Sequence, residues 1–351
     1  MYLRPMEGTL HIHDLLDAPE AWRIVDVRSP SEFLAGHIPG AINLPLFSDE
    51  ERARVGTLYK QVSTEAAMQE GLGIAGVKMN DLLEAATRIA RHSEKKLVVH
   101  CWRGGKRSEA VHWLLRFSGM EVFRLRGGYK SFRTELHNFF AKNHFRFNII
   151  GGFTGTGKTE LLLALQRAGQ QIINLESLAC HKGSAFGAIG EPPQPTTEQF
   201  ENDLFMAFNT LTPARVVWLE NESKNIGRNY LPEGLWRKMR NSLLFHIEVN
   251  YYVRLDRIVG AYANPPDVDI LKDSFSRIQK RLGGLEYKMA IEALDKGDLR
   301  KAAAIALNYY DKSYTFQLAQ WPADRVVRVA DCDDLACSAQ KLIDLDVQQG
   351  G

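Results

Sequence analysis

Two stretches of this chain join glycines to cations in a way that suits phosphate-sized anions, and one of them adds a thiol. His100-Cys101-Trp102-Arg103-Gly104-Gly105-Lys106-Arg107-Ser108 follows the apolar run Leu97-Val98-Val99. A thiol at a strand end, with successive backbone N–H groups and a helix N-terminus behind it, meets a positive potential that favours the thiolate. Arg103, Lys106 and Arg107 deepen that potential, and Gly104 and Gly105 let the backbone curl into an anion-binding nest. An average lone cysteine is an inert core residue; this setting makes Cys101 a catalytic candidate together with Arg103 and Arg107. The spacing from Cys101 to Arg107 also fits the His-Cys-x5-Arg loop of cysteine phosphatases, so a phosphatase with an accessory second domain is the alternative reading. No Asp general acid stands on a recognisable loop to support it.

The second stretch is Gly152-Phe153-Thr154-Gly155-Thr156-Gly157-Lys158-Thr159, a full Walker A pattern after Asn148-Ile149-Ile150. In such a loop Gly152, Gly155 and Gly157 free the backbone N–H groups to surround a phosphate, Lys158 neutralises its terminal oxygens, and the Thr159 hydroxyl can hold magnesium. Val216 to Leu219 resembles a Walker B strand, after which Glu220 and Glu222 are candidates to reach magnesium; a solvated cap on the strand end is the plainer alternative. Neither carboxylate defines a firm metal site. His181, Lys182 and Ser184 lie on a following loop beside the expected phosphate edge.

These residues need elements to hold them. Ile24 to Val27, Ala41 to Leu44, Leu97 to His100 and Val122 to Leu125 read as short strands. Helix-period segments such as Met79 to Ala90 and Glu109 to Phe117 lie between them, an alternation that predicts a parallel sheet covered by helices. Tyr129 to Phe140 reads as a closing helix, with a domain boundary near residue 143, giving domains over 1–143 and 144–351. The second domain continues through a helix from Glu160 to Ala168 and strands at Gln171 to Leu175 and Arg215 to Leu219. Phe245 to Val253 reads as extended, Ile270 to Gln320 as helix-rich, and Arg325 to Val329 as a late strand. The Gly- and Pro-rich stretch from Lys182 to Pro195 is too long for a simple connection and is a candidate lid.

At 351 residues two domains of ordinary size are expected. Hydrophobic residues at 45% and charged residues at 25% fit a globular protein, and no apolar run approaches the roughly 20 residues that span a bilayer. With no apolar signal-peptide core near Met1, the expected location is the cytoplasm. Cys101, Cys180, Cys332 and Cys337 form no C-x-x-C pair and no zinc-like spacing with histidine, so the last three read as structural. Net charge is only +2, yet residues 95 to 146 hold twelve Lys/Arg against three Asp/Glu, which marks that segment for a polyanion. Arg124, Arg126, Lys130, Arg133 and Arg146 are the candidate RNA-contacting cations there, with Phe132, Phe139, Phe140 and Phe145 interleaved.

The cysteine loop, Asp26-Val27-Arg28-Ser29-Pro30-Ser31-Glu32-Phe33, Gly36-His37-Ile38-Pro39-Gly40 and Leu125-Arg126-Gly127-Gly128-Tyr129 together resemble a rhodanese domain, whose cysteine carries sulfur or selenium. One departure is that ordinary sulfurtransferase loops place the arginine a residue closer to the cysteine than Arg107 is to Cys101. Asp26 and Arg28 read as a buried ion pair rather than as chemistry. With the phosphate loop, His181-Lys182-Gly183-Ser184-Ala185-Phe186-Gly187, Gln194-Pro195, Phe200-Glu201-Asn202 and Glu220-Asn221-Glu222-Ser223-Lys224-Asn225-Ile226-Gly227, most of the chain is similar to the tRNA 2-selenouridine synthase family. That resemblance implies S-geranylation of wobble 2-thiouridine in tRNA by geranyl diphosphate, then replacement of the sulfur by selenium from selenophosphate. It implies no firmly bound cofactor and no membrane; magnesium is left as an option that the Walker pattern alone raises. Carried onto this chain, it assigns selenation to Cys101, selenophosphate to Gly104, Gly105 and Lys106 with the two arginines, and the diphosphate to the Walker loop. Phe153, Phe186 and Trp218 are the expected lining of an apolar slot for the geranyl chain.

Overall fold

The structure is a computed structural model that describes residues 8–91, 94–142, 144–261, 268–330 and 334–349. The chain divides into two units, Met1–Phe139 with Glu201–Asn209, and Phe140–Phe200 with Thr210–Gly351. Both are α/β units built on a five-stranded sheet, and every pairing within those two sheets is parallel.

In the first unit the strands are β1 (Thr9–Leu10), β2 (Trp22–Asp26), β3 (Ile42–Asn43), β4 (Lys96–His100) and β5 (Val122–Leu125), in the order β1-β5-β4-β2-β3. Four of the five coincide with the expected strands; β1, two residues long, is too short to carry a periodic signal. Buried apolar side chains on β2 and β4, among them Val25, Leu97 and Val99, meet Leu82 and Ala86 of a helix that runs from Thr64 to Arg91, and Val111 and Leu115 of the helix Lys106–Phe117. The long helix extends well beyond the Met79 to Ala90 segment because its earlier turns bury only small residues, Ala67, Gly71 and Ala75. Such a face gives little hydrophobic contrast in sequence. The segment Glu201–Asn209 of a later helix belongs to this unit: Asn202, fully buried, donates through Nδ2 to the His37 carbonyl (2.9 Å) and to the Tyr129 hydroxyl (2.7 Å).

The second unit has β6 (Phe147–Gly152), β7 (Gln171–Ile173), β8 (Val217–Glu220), a two-stranded antiparallel hairpin of β9 (Asn225–Ile226) and β10 (Asn229–Tyr230), then β11 (Leu243–Glu248) and β12 (Val326–Ala330). The sheet order is β12-β11-β6-β8-β7. Strand β6 is therefore central, and the chain builds first to one side of it and then to the other. In such a sheet ligands bind beyond the C-terminal end of the strand where the order reverses. One expectation is corrected here: Phe245 to Val253 is not extended throughout. The strand stops at Glu248, and Tyr251 opens a helix to Ala261 because Asn250 Oδ1 accepts from the Tyr252 amide (2.9 Å), an N-terminal cap that ends the extended run. A helical subassembly from Val268–Leu282, Gly284–Asp295 and Leu299–Ala319 buries Leu271, Phe275, Leu294 and Ala302 in a core of its own. No described helix is long and apolar enough to cross a membrane.

Candidate active sites

Cys101 follows the central strand β4, and its side chain is buried. Its Sγ lies 3.3 Å from the Ser108 hydroxyl and 3.8 Å from the Gly105 carbonyl, while Ser108 Oγ donates to that same carbonyl (3.0 Å). The loop is closed from outside by Gly127-Gly128-Tyr129: the Tyr129 amide donates to the Cys101 carbonyl (2.9 Å) and the Lys130 amide to the Trp102 carbonyl (2.8 Å). This close approach requires glycine. Gly104 and Gly128 both have positive φ, and a Cβ on Gly128 would stand 2.3 Å from the Cys101 carbonyl oxygen.

Around this loop the buried and half-buried charges are paired with one another. Arg28 binds Asp26 (2.7 Å) inside the unit, donates to the Gly36 carbonyl and lies 4.1 Å from the Tyr129 ring centre. Burial would raise the Asp26 carboxyl, but His100 and Arg28 beside it hold it below its ordinary range. His100 is itself held below the usual imidazole range, chiefly by burial, and its Nε2 has no hydrogen-bond partner among the described residues. Arg107, assigned from sequence to the anion, donates from both terminal nitrogens to Glu32 (2.5 and 3.2 Å). Burial pushes Glu32 up, but the hydrogen bonds and charge of Arg107 outweigh it, leaving the carboxyl below its usual range. A phosphatase would need that arginine turned onto a phosphate. Lys106 is exposed and pairs with Glu109 (3.2 Å), and Arg103 is exposed beside the half-buried Gly104.

The phosphate loop lies between β6 and the helix Lys158–Arg167. Two arginines from the helix after β11, unremarked in the sequence, hold its carbonyls: Arg254 donates to Thr154 O (3.1 Å) and Arg257 to Thr156 O (2.8 Å). With those carbonyls drawn outward, the neighbouring amides face the opposite way, as a phosphate cradle needs. Arg254 is fixed in turn by Asp311 through two bonds (2.8 and 2.7 Å). Lys158 Nζ rests on the Gly152 and Phe153 carbonyls (3.1 and 3.5 Å), ready to be exchanged for ligand oxygens.

Thr159 Oγ1 donates to Glu176 (2.9 Å), a carboxylate that sequence reading passed over because it sits on the five-residue helix Leu175–Ala179 with no motif of its own. Glu176 shares a side-chain hydrogen bond with Glu222, and Glu220 accepts from the Leu175 amide (3.1 Å) while its Oε1 has no partner. Burial pushes Glu220 up to about 8, with Glu176 adding repulsion. Burial and the Glu176 charge push Glu222 well up too, and burial raises Glu176 against the pull of Lys158 and Thr159. Glu220 and Glu222 are thus not solvated caps but members of a buried carboxyl group beside the phosphate loop. Among the described residues no three His, Cys, Asp or Glu side chains are grouped to hold a metal ion. Magnesium needs only one or two protein oxygens and a phosphate, and the Thr159 hydroxyl, with Glu176 against it, is the donor set available.

A narrow, open-mouthed apolar cavity adjoins the loop at Thr154 and is lined by Phe186, Ile258, Phe275, Ala303 and Ala306 among others. Of the three aromatics expected around such a slot, only Phe186 lines it. Phe153 packs edge-on against His246, and Trp218 is sealed in the sheet core against Phe245. The stretch proposed as a lid carries Phe186 into the helical core, 5.0 Å from the Phe275 ring, and is tied there by the Ala185 amide donating to the Tyr310 hydroxyl (2.8 Å). His181, buried, accepts through Nδ1 from the Gly183 amide (3.2 Å), which makes it part of that loop's own structure. Gln194 joins the Ala179 and Ile226 carbonyls (3.0 Å each) and accepts from the Arg228 amide, so the Gln194-Pro195 and Ile226-Gly227 signatures are one clamp.

The candidate RNA-contacting cations separate into two kinds. Arg133 is drawn in by Glu201 and Asn202, Arg124 lies 3.9 Å from Glu109, and Phe132, Phe140 and Phe145 are core residues that offer no face to a base. Lys130 and Arg146 are exposed, as is Arg126, whose guanidinium lies 3.4 Å from His11 Nε2. Cys180 is half-buried and Cys337 exposed; Cys332 and Asn143, where the boundary was expected, lie outside the described residues.

Fold and loops together define a rhodanese-like unit joined to a P-loop unit. Residues 11–135 match the rhodanese-like domain family, and residues 145–342, more than half of the chain, match the family described as the tRNA 2-selenouridine synthase AAA domain. Proteins named tRNA 2-selenouridine synthase from Shewanella loihica and Marinobacter nauticus are 34% and 35% identical, each over 87% of this chain and over 89% and 90% of their own length. One from Nitrosomonas eutropha is 39% identical over 68% of this chain, which spans 62% of that relative's length. The chain belongs to the tRNA 2-selenouridine synthase family.

Proposed function

We propose that this protein makes 2-selenouridine in tRNA in two chemical steps, one for each loop. In the first, the thiocarbonyl sulfur of 2-thiouridine attacks C1 of geranyl diphosphate, the C1–O bond breaks, and diphosphate leaves. Lys158 and the loop amides take up the leaving charge where it develops, with the Thr159 hydroxyl the side-chain oxygen suited to an accompanying magnesium ion. In the second, the Cys101 thiolate adds at C2 and expels geranyl thiolate, a far better leaving group than a bare thiocarbonyl sulfur, and selenophosphate then adds through selenium at C2 and displaces the Cys101 thiolate. Water then splits the Se–P bond to give phosphate and the selenonucleoside, so no oxidant is consumed. Cys101 and its nest serve this second step, in which Gly104, Gly105, Lys106 and Arg103 bind the selenophosphate oxygens.

The observation that carries the reading is the apolar cavity adjoining the phosphate loop at Thr154. A nucleotide would ask for polar groups around a base and ribose; a prenyl diphosphate asks for a diphosphate cradle with an apolar slot beside it. Exposed cations at Lys130, Arg126 and Arg146 are suited to RNA phosphates, whose contribution to affinity falls with salt. The test is mass spectrometry of nucleosides from thiolated tRNA incubated with the protein, geranyl diphosphate and selenophosphate, each donor omitted in turn. Omitting selenophosphate is expected to leave S-geranyl nucleoside, and omitting geranyl diphosphate to leave 2-thiouridine. Selenouridine formed at full yield without geranyl diphosphate would overturn the division into two steps.

A further inference from the structure

Resting on that reading of the cavity as the prenyl site, we infer that one face of the helix Leu299–Ala319 measures the length of the prenyl chain. The helix carries residues beside the phosphate loop and residues that line the cavity. Near its C-terminal half, the Tyr314 ring lies 5.5 Å from Lys158 Nζ, and Asp311 holds the arginine that binds the Thr154 carbonyl. One turn nearer the N-terminus, Tyr310 fixes the Phe186 loop through the Ala185 amide. From there the cavity-lining positions continue as Leu307, Ala306, Ala303, Ala302 and Leu299. At a rise of about 1.5 Å per residue the span from Tyr310 to Leu299 is roughly 16 Å.

The series reads as a graded wall. Ala303 and Ala306, only half-buried, leave room along the middle of the cavity, where a larger side chain would replace the space a prenyl tail occupies. Leu299 is the first residue of its helix, a bulky side chain at the end away from Lys158. Ile258 and Phe275 line the cavity from two other helices. A ten-carbon chain attached at the phosphate loop must run along Ala306 and Ala303; a five-carbon chain stops before them, and a fifteen-carbon chain must displace Leu299. Because one methylene gained or lost in an apolar pocket changes discrimination by roughly tenfold or more, single substitutions on this face are sufficient to move the preference.

The test measures transfer from dimethylallyl, geranyl and farnesyl diphosphate to thiolated tRNA in parallel by the intact protein. Ala303→Phe and Ala306→Leu are expected to lower the geranyl-to-dimethylallyl ratio of kcat/KM by at least about tenfold, each ratio being taken within one variant so that a general loss of activity cancels. Leu299→Ala is expected to move the farnesyl-to-geranyl ratio the other way, a result that loss of folding cannot mimic. Ratios unchanged in all three variants while the parent still geranylates would overturn the ruler and leave the function standing. A parent protein that transfers none of the three prenyl groups would overturn both.

Discussion

The cysteine loop and the phosphate loop share a backbone plan and differ in how their charges are balanced. Each follows the central strand of a parallel sheet and leads into a helix, with glycines at the turn. In the first, the large charges are neutralised locally: Asp26 by Arg28, and Glu32 by Arg107. In the second, three carboxyls gather beside one lysine, and burial raises all of them. A loop with settled charges is rigid and keeps a thiol in place. In the second loop, surplus buried carboxyls beside a lysine that rests on backbone carbonyls leave charges that an anion and a cation would rebalance. The same motif geometry thus carries paired charges in one unit and an unbalanced carboxyl group in the other.

The sharpest way to break this comparison is to silence one loop and read both steps. Cys101→Ser is expected to lower selenation at least about a thousandfold while geranylation stays within about twofold; selenouridine yield that survives this change would remove Cys101 from the chemistry. Lys158→Ala is expected to slow geranylation about a hundredfold and to spare selenation of tRNA already geranylated. Equal loss of both steps would end the division of labour.

Smaller effects sharpen the charge contrast. Glu32→Gln breaks the pair with Arg107, and thermal or denaturant unfolding is expected to register about 1 kcal/mol of lost stability. Because Glu32 is held below its ordinary range in the fold, its contribution is present above that range and fades as pH falls through it, so parent and variant should converge in acid. Glu220 has the opposite sign. Its carboxyl is pushed up to about 8 from 4.5, so its stabilising protonated form is complete below the ordinary value and lost as pH rises towards 8. The lowered histidines, His100 among them, act with the opposite sign in parent and variant alike, so the melting temperature of the ligand-free parent minus that of Glu220→Gln should fall across that window. A difference between parent and variant that stays constant from pH 5 to 8 would contradict the buried carboxyl group.

Much of this was legible in the chain because both loops are local. Strand, glycine, cation and helix lie within about ten residues, and short-range backbone sterics decide their shape. The parallel α/β class follows from the same alternation of apolar runs. What escaped the sequence came from distant positions brought together. Glu176 reaches Thr159, Arg254 and Arg257 reach the phosphate-loop carbonyls, and Asn202 enters the first unit from a helix that begins in the second. The interleaved phenylalanines from Phe132 to Phe145 have the spacing of an RNA-stacking face, yet most are core, because helical periodicity reports which residues share a side and not what that side meets.

By itself the sequence determined the two anion loops, their order along the chain and the thiol that distinguishes them, since each depends on neighbours a few bonds away. Tertiary structure alone decided which cations are free to meet a ligand, which carboxyls are buried beside the phosphate loop, and that an apolar cavity adjoins it. Those properties are set by burial and by charges far apart in sequence, and both come into being only when the sheets and helices pack.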